Sequence, residues 1–232
     1  MSARLGCHVL VDFDGTIATV DTTDRLLERF ADPRWLAVEE EWKTGRIGSR
    51  ECLVRQIDLV RATPAEMEDF VSSIEIDPGF PAFVALCRQN GLKVTVVSDG
   101  LDFTVSRVLA AAGLPLEYRA NHLEYLGGDR WRLGFPHARS DCRALSGNCK
   151  CQFAEDSLGQ VRIVVGDGRS DFCVAGRADL VLAKSALERH CRMSGLPHYA
   201  FNAFPDATRL LAQWLDERSS KAPAFMRTGK SR

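Results

Sequence analysis

His8-Val9-Leu10-Val11-Asp12-Phe13-Asp14-Gly15-Thr16 is a short apolar run that stops abruptly in two carboxylates and a glycine. A β-branched run of this length, ended by a turn-forming residue, reads as a buried strand opening into a loop. Strands hidden on both faces look like this in parallel sheets, and α/β folds place their chemistry at the carboxyl ends of such strands. Side chains alternate along a strand, so Asp12 and Asp14 can face one site. Two carboxylates at one site do not both stay charged unless a cation joins them or one takes up a proton. The pair implies a metal ion, acid–base work, or both.

Outward from this stretch, strand-like runs recur at Val9 to Phe13, Leu92 to Ser98, Val161 to Gly166 and Leu180 to Ala183. Helix-period segments lie between and after them, at Phe80 to Gln89, Phe103 to Ala112 and Ala186 to Met193. Strands alternating with helices predict an α/β fold with a parallel sheet. Glu117 to Leu133 suggests short strands turning at Gly127-Gly128-Asp129. The stretch from Ala18 to Asp77 breaks the alternation and reads as successive helices. Thr22 or Thr23 can cap the first, Asp32-Pro33 starts the second, Ser49 begins the third, and Thr63-Pro64-Ala65-Glu66 is a capping box. A helical block inserted after the first strand sits above the site that strand builds, as a lid. The expected division is a core of residues 1–17 and 78–218, a helical cap of residues 18–77, and a frayed tail of residues 219–232.

Composition narrows the function. The chain has 232 residues, enough for one substantial core and a small accessory domain. Thirty basic residues against 31 acidic ones give no pull toward nucleic acid or acidic membranes. No run of about 18 apolar residues suggests a membrane span, and no signal-peptide pattern precedes Asp12. A cytoplasmic protein, monomer or homodimer, with its eight cysteines reduced, is expected.

Four segments carry chemistry if each lies at a strand's carboxyl end: Asp12 to Thr16; Val96-Val97-Ser98-Asp99-Gly100; Lys150 in Asn148-Cys149-Lys150-Cys151; and Val165-Gly166-Asp167-Gly168-Arg169-Ser170-Asp171. Phosphoryl transfer needs an in-line nucleophile and positive charge on the equatorial oxygens. Asp12 can be the nucleophile, and Asp14 can protonate the leaving alkoxide and later deprotonate water. Mg²⁺ takes hard oxygens and keeps several waters, so Asp12, Asp167 and the Asp14 carbonyl suffice, with Asp171 in support. Ser98 and the N–H groups of Asp99 and Gly100, at a helix N-terminus, would cradle phosphate oxygens, and Lys150 would supply the remaining cation.

These motifs resemble those of the haloacid dehalogenase superfamily, in order and over nearly the whole chain. The resemblance implies a Rossmann-like parallel-sheet core with a small helical cap domain of C1 type inserted after the first strand. It also implies a Mg²⁺-dependent phosphatase, since dehalogenases lack the second aspartate and transport ATPases carry threonine there. Val97 to Phe103, Phe135-Pro136-His137 with Cys142 and Cys149-Lys150-Cys151, and Gly166 to Phe172 are similar to the branch containing the methionine-salvage phosphatase for 2-hydroxy-3-keto-5-methylthiopentenyl-1-phosphate. A small phosphorylated metabolite is the implied partner. Phosphoserine, phosphocholine and phosphoethanolamine are the alternatives. Against phosphoserine, Asp21 and Gln56 stand where that family carries a glutamate and an arginine.

Competing readings exist for several residues. Lys184 rivals Lys150 but lies beyond the fourth motif. His137, Cys142, Cys149 and Cys151 invite zinc, yet Cys-x-Cys is not the usual gap and the segment reads as thiols in a structured loop. Trp35 and Trp42 share a helix face, a pattern commoner in cores than in ligand sites. Asp21, Glu28, Arg46 and Arg55 read as solvated cap charges. A non-catalytic phosphoacceptor module is the alternative of another class, and Asp14, which such a module does not need, counts against it.

Overall fold

The computed structural model describes residues 6–142, 144–157 and 159–221. The elements run β1 (Cys7–Val11), α1 (Thr22–Phe30), α2 (Trp35–Lys43), α3 (Ser49–Ile57), α4 (Pro64–Ser72), α5 (Phe80–Gln89), β2 (Lys93–Leu101), α6 (Asp102–Ala111), β3 (Glu117–Gly127) and β4 (Arg130–Gly134). They continue with α7 (Lys150–Glu155), β5 (Val161–Gly166), a 3₁₀ turn (Arg169–Asp171), α8 (Phe172–Ala175), β6 (Leu180–Ala183), α9 (Ser185–Met193), β7 (His198–Ala200) and α10 (Phe204–Lys221).

The strands form one sheet in the order β4-β3-β2-β1-β5-β6-β7. All neighbours are parallel except the β3–β4 hairpin. β1 is central because both its faces are apolar. Val9, Val11 and Phe13 enter the larger core with Phe80, Phe83 and Phe204, while Leu10 packs with Val97, Phe153 and Val164 on the other face. Each such side chain contributes roughly 1.5–3 kcal/mol on burial. Helices thus cover both faces, the arrangement a parallel sheet needs.

Between β1 and α5 stand four helices, α1 to α4. The capping box at Thr63 forms as the sequence predicts, with Pro64 in the first turn. The first helix is capped by Asp21 rather than by Thr22 or Thr23, because the Thr22 hydroxyl is used by Asp14. The second begins at Trp35, later than Pro33; Asp32 instead accepts from the Arg34 N–H in a preceding turn. Cross-links to the β3–β4 hairpin and to α6 bind this layer in place: Ala62 donates to the Asp129 carbonyl at 3.1 Å, Trp131 Nε1 donates to the Ala62 carbonyl at 2.7 Å, and Arg107 pairs with Glu68 at 2.7 Å. Helix α10 continues through Lys221, past the expected start of the tail; residues 222–232 lie outside the described residues. No helix among the described residues is long and apolar enough to cross a membrane.

Candidate active site

Asp12 is the first residue past β1, still tied to the sheet by its N–H, which donates to the Val165 carbonyl at 2.9 Å. It is 6% exposed. Its Oδ1 accepts from the Phe13 N–H at 2.8 Å and lies 2.6 Å from Lys150 Nζ. Lys150 opens α7, and its Nζ is also 2.7 Å from Asp171 Oδ1. Burial, then Asp171, pushes the Asp12 carboxyl well above its ordinary range, and Lys150 opposes that. Burial alone would lower the Lys150 ammonium, but Asp12 and Asp171 outweigh it and hold the ammonium above its usual value. One cation therefore serves two buried acids. Lys184 does not take that place: its Nζ lies over the Phe201 ring, 5.5 Å from the centroid.

Asp14 is held by different groups. Its Oδ1 accepts from the Thr22 N–H at 2.9 Å and the Thr22 hydroxyl at 2.5 Å. Its Oδ2 accepts from the Ser98 hydroxyl at 3.1 Å. Ser98 is fully buried and its Oγ accepts from the Gly100 N–H at 2.8 Å. The N–H groups after Ser98 differ in origin from the expectation of a helix N-terminus. β2 continues to Leu101, with its register broken between Val97 and Leu101, and α6 starts only at Asp102. The loop is the irregular end of a strand. The Asp99 side chain points to the Ser49 hydroxyl at 2.6 Å and the Asn148 N–H at 2.8 Å, so only its main chain is suited to an anion.

Asp167 follows β5, and its Oδ1 accepts from the Thr16 hydroxyl at 3.0 Å. Burial, then Asp171, raises its carboxyl above the usual range. Gly15 makes this approach possible: its φ is +67°, and a Cβ there would stand 2.7 Å from Asp167 Oδ2. Asp12, Asp167 and Asp171 place carboxylate oxygens within 4.8 Å of one another. Hard oxygens so close fit a small divalent cation such as Mg²⁺. Asp171 differs from the other two. Its Oδ1 meets Lys150, and its Oδ2 accepts from the N–H groups of Asp167 and Gly168 at 3.2 and 3.3 Å. Asp12 and Asp167 could hold such an ion, while the Asp171 oxygens are already engaged by Lys150 and these N–H groups. Among the described residues, His137, Cys142, Cys149 and Cys151 form no comparable group; the His137 ring instead packs edge-on against Phe153.

A cavity of about 400 Å³ joins these groups to the helices above. Asp12, Asp14, Gly100 and Asp167 form its floor, while Asp21, Asp24, Glu39, Trp42, Cys52, Leu53 and Gln56 form its wall. Trp35 is core and Trp42 is wall, with the Arg169 guanidinium 5.2 Å over its ring. Asp21, read in the sequence as a solvated charge, faces this cavity. Burial, then Asp14 and Asp24, pushes its carboxyl up to about 7. Arg55 is not at the site; it pairs with Glu41 at 2.8 Å. Gln56 is, with its Nε2 donating to Glu39 Oε2 at 2.9 Å. Asp24, Glu39 and Leu53 carry no motif, and only the packing of α1, α2 and α3 identifies them.

A family profile described as haloacid dehalogenase-like hydrolase matches residues 9–176. The chain is 32% identical over 208 residues to a 2-hydroxy-3-keto-5-methylthiopentenyl-1-phosphate phosphatase of an Exiguobacterium species, covering 87% of this chain and 95% of that one. A Brevibacillus brevis protein of the same name is also 32% identical, covering 87% and 93%. Among solved structures, a phospho-aspartyl intermediate analogue of phosphoserine phosphatase superposes with a TM-score of 0.63 at 22% identity, over 81% of this chain and 91% of that chain.

Proposed function

The chain belongs to the haloacid dehalogenase-like hydrolases and is a phosphatase, and on that premise we propose that Asp12 and Asp14 divide the work of phosphomonoester hydrolysis between them. The observation that carries this reading is their partnering. Two carboxylates face one cavity, one on a buried ammonium and the other on hydroxyls.

The hydrogen bonds and ion pair to Asp12 fall on Oδ1, which leaves the other oxygen to attack phosphorus. The new P–O bond forms on the Asp12 carboxyl as the ester P–O bond breaks. Protonated Asp14 gives its proton to the departing alkoxide, so the product leaves as a neutral alcohol. Asp14 then takes a proton from water as that water attacks phosphorus, the aspartyl P–O bond breaks, and inorganic phosphate is released. Lys150 holds Asp12 oriented and offsets the charge that gathers there. Ser98 and the N–H groups of the β2 end bind phosphate oxygens. Phosphatases of this family generally use Mg²⁺, and here Asp12 and Asp167 would hold it; when bound, the ion supplies charge neutralisation for the phosphoryl group. The cap of α1 to α4 acts as a lid that excludes bulk water.

For the substrate we infer 2-hydroxy-3-keto-5-methylthiopentenyl-1-phosphate, the compound named for the relatives. Trp42, Cys52 and Leu53 offer an apolar surface for a methylthio tail, and sulfur packs well on aromatic rings. Gln56 and Asp21 can hydrogen-bond its oxygens. A substrate carboxylate, as in phosphoserine, would meet Asp21, Asp24 and Glu39, and like charges repel. The same three acids beside Trp42 suit an ammonium alcohol, so phosphoethanolamine or phosphocholine is the second reading. Comparing kcat/KM over the enol phosphate, phosphoserine, phosphoethanolamine and phosphocholine with Mg²⁺ decides the order. A preference for phosphoserine would refute the substrate reading. Asp12→Asn should lower phosphate release from every ester by about 10⁴-fold; equal rates in wild type and variant would sink the mechanism.

A further inference from the structure

Asp99 lies next to the phosphate loop, yet its carboxylate turns away from it to join three elements. Its Oδ2 accepts from the Ser49 hydroxyl at 2.6 Å, at the first residue of cap helix α3. Its Oδ1 accepts from the Asn148 N–H at 2.8 Å, two residues before Lys150. Asn121, on β3, donates from Nδ2 to the Asp99 carbonyl at 2.5 Å. Asn148 is itself 1% exposed, and its Nδ2 donates to the carbonyls of Ser98 and Arg119 at 2.7 and 2.8 Å. The start of α7 is thus fastened to β2 and β3 by the Asn148 amide and to the first residue of α3 through the Asp99 carboxylate.

The cap clasps the same loop independently. The Arg50 N–H donates to the Leu145 carbonyl at 3.1 Å, and its guanidinium donates to the carbonyls of Arg139 and Ser146 at 3.3 and 3.4 Å. Leu145 has a φ of +48°, a left-handed conformation that a branched residue holds only under constraint. Gly48 presses on it: a Cβ at Gly48 would stand 2.6 Å from Leu145 Cβ. The loop before Lys150 therefore takes its shape from α3 being seated.

We propose that Asp99 is a positioning residue that couples the seating of α3 to the placement of Lys150 on Asp12. With Ser49 on Asp99, the carboxylate holds the Asn148 N–H, α7 begins where it must, and Lys150 Nζ meets Asp12 and Asp171 at 2.6 and 2.7 Å. With α3 lifted, Asp99 loses one of its donors, Leu145 loses its clasp, and the lysine's anchor loosens. The site would then be fully assembled only under a closed cap, so that the reactive carboxylate is organised when water is excluded. This inference rests on the assignment of Lys150 to the phosphatase site.

A double-mutant cycle on the full chain with Mg²⁺ and an aryl phosphate tests it. Ser49→Ala should lower kcat about tenfold and Asp99→Ala about a hundredfold, with KM within about twofold, since a hydrogen bond to a charged group is lost but substrate contacts remain. Ser49→Thr, which keeps the hydroxyl, should restore most of the loss. In the Asp99→Ala background, Ser49→Ala should cost nothing further. If Asp99→Ala does not fold, as judged by its thermal transition, Asp99→Asn takes its place in the cycle. Independent, multiplying losses would overturn the coupling, as would a Ser49→Ala effect confined to KM. Lys150→Met separates the two levels. If that variant keeps full activity, the mechanism fails. If it is inactive and the cycle is additive, only the positioning role of Asp99 fails.

Discussion

Two buried titratable groups flank the length of β1, His8 near its start and Asp12 just past its end, at 7% and 6% exposure. They are four residues apart and similarly inaccessible to solvent, but have opposite outcomes. His8 is met by neutral hydroxyls: Nδ1 is 2.6 Å from Ser157 Oγ and Nε2 is 2.8 Å from Thr95 Oγ1. Both ring nitrogens are satisfied, and burial followed by Lys93 lowers the ring to about 4, so it stays neutral. Asp12 is met by an ammonium and flanked by two further carboxylates. Partners, rather than burial, decide which end is structural and which reactive. A buried group saturated by neutral partners has nothing left to offer a substrate. A buried charge balanced by a mobile proton or ion does.

The comparison breaks most readily at Lys150. Lys150→Met keeps the aliphatic stem and removes the charge, leaving Asp12 and Asp171 facing each other without a cation. We expect kcat/KM to fall about 10³-fold for aryl and alkyl phosphates alike, because the lost charge served the phosphoryl group common to all of them. Removing one partner of a buried pair should also destabilise the protein by about 3–5 kcal/mol. Steady-state kinetics and urea unfolding measure the two effects. Near wild-type values in both would mean that Asp12 needs no buried cation.

Asp14→Asn separates leaving-group chemistry from nucleophile chemistry. The amide keeps the contacts with Thr22 and Ser98 in outline but cannot deliver a proton. Alkyl phosphates, whose alkoxides leave poorly, should lose about a hundredfold in kcat and aryl phosphates less than tenfold. Equal losses on both would deny Asp14 its acid role.

The floor of the cavity was legible in the sequence because each of its residues sits at or just beyond the end of a short apolar run. Asp12 and Asp167 follow β1 and β5 in that way and Ser98 lies in the irregular end of β2, and the structure brings them together with Asp14, Lys150 and Asp171. Lys150 could be placed only by resemblance, since nothing local marks a lysine that meets a carboxylate 138 residues earlier in the chain. The helical wall of the cavity was not legible. Asp24, Glu39 and Leu53 look like any amphipathic helix, and their facing the cavity depends on how α1, α2 and α3 pack. Asp99 shows the limit most sharply. Its place in a Ser-Asp-Gly run suggested phosphate binding, whereas its side chain is committed to Ser49 and Asn148, 50 and 49 residues away in the chain. The short β7 and the long α10 carried no motif and were not anticipated.

The smallest effect should come from the other end of β1. His8→Leu fills the ring's space but leaves the Thr95 hydroxyl without its partner, a loss of about 1–3 kcal/mol in stability. Ser157 retains the Phe153 carbonyl as acceptor at 2.8 Å. Activity of the folded variant should be unchanged, because no group at the site touches this pair. The pH dependence gives a second handle. The folded ring titrates at about 4 against 6.5 for an unperturbed histidine. Between those values the unfolded chain binds a proton that the folded chain refuses, so this group's contribution to stability is present above 6.5 and lost as pH falls toward 4. Carboxylates with raised values, Asp21 at the cavity wall among them at about 7, act in the opposite sense, so the wild-type curve mixes both. Subtracting the pH–stability curve of His8→Leu from that of the wild type isolates the histidine. The difference should shrink as pH falls from 6.5 to 4. A difference that stays flat over that range would mean that the ring is charged in the folded protein, and that hydroxyl partners do not keep a buried group neutral.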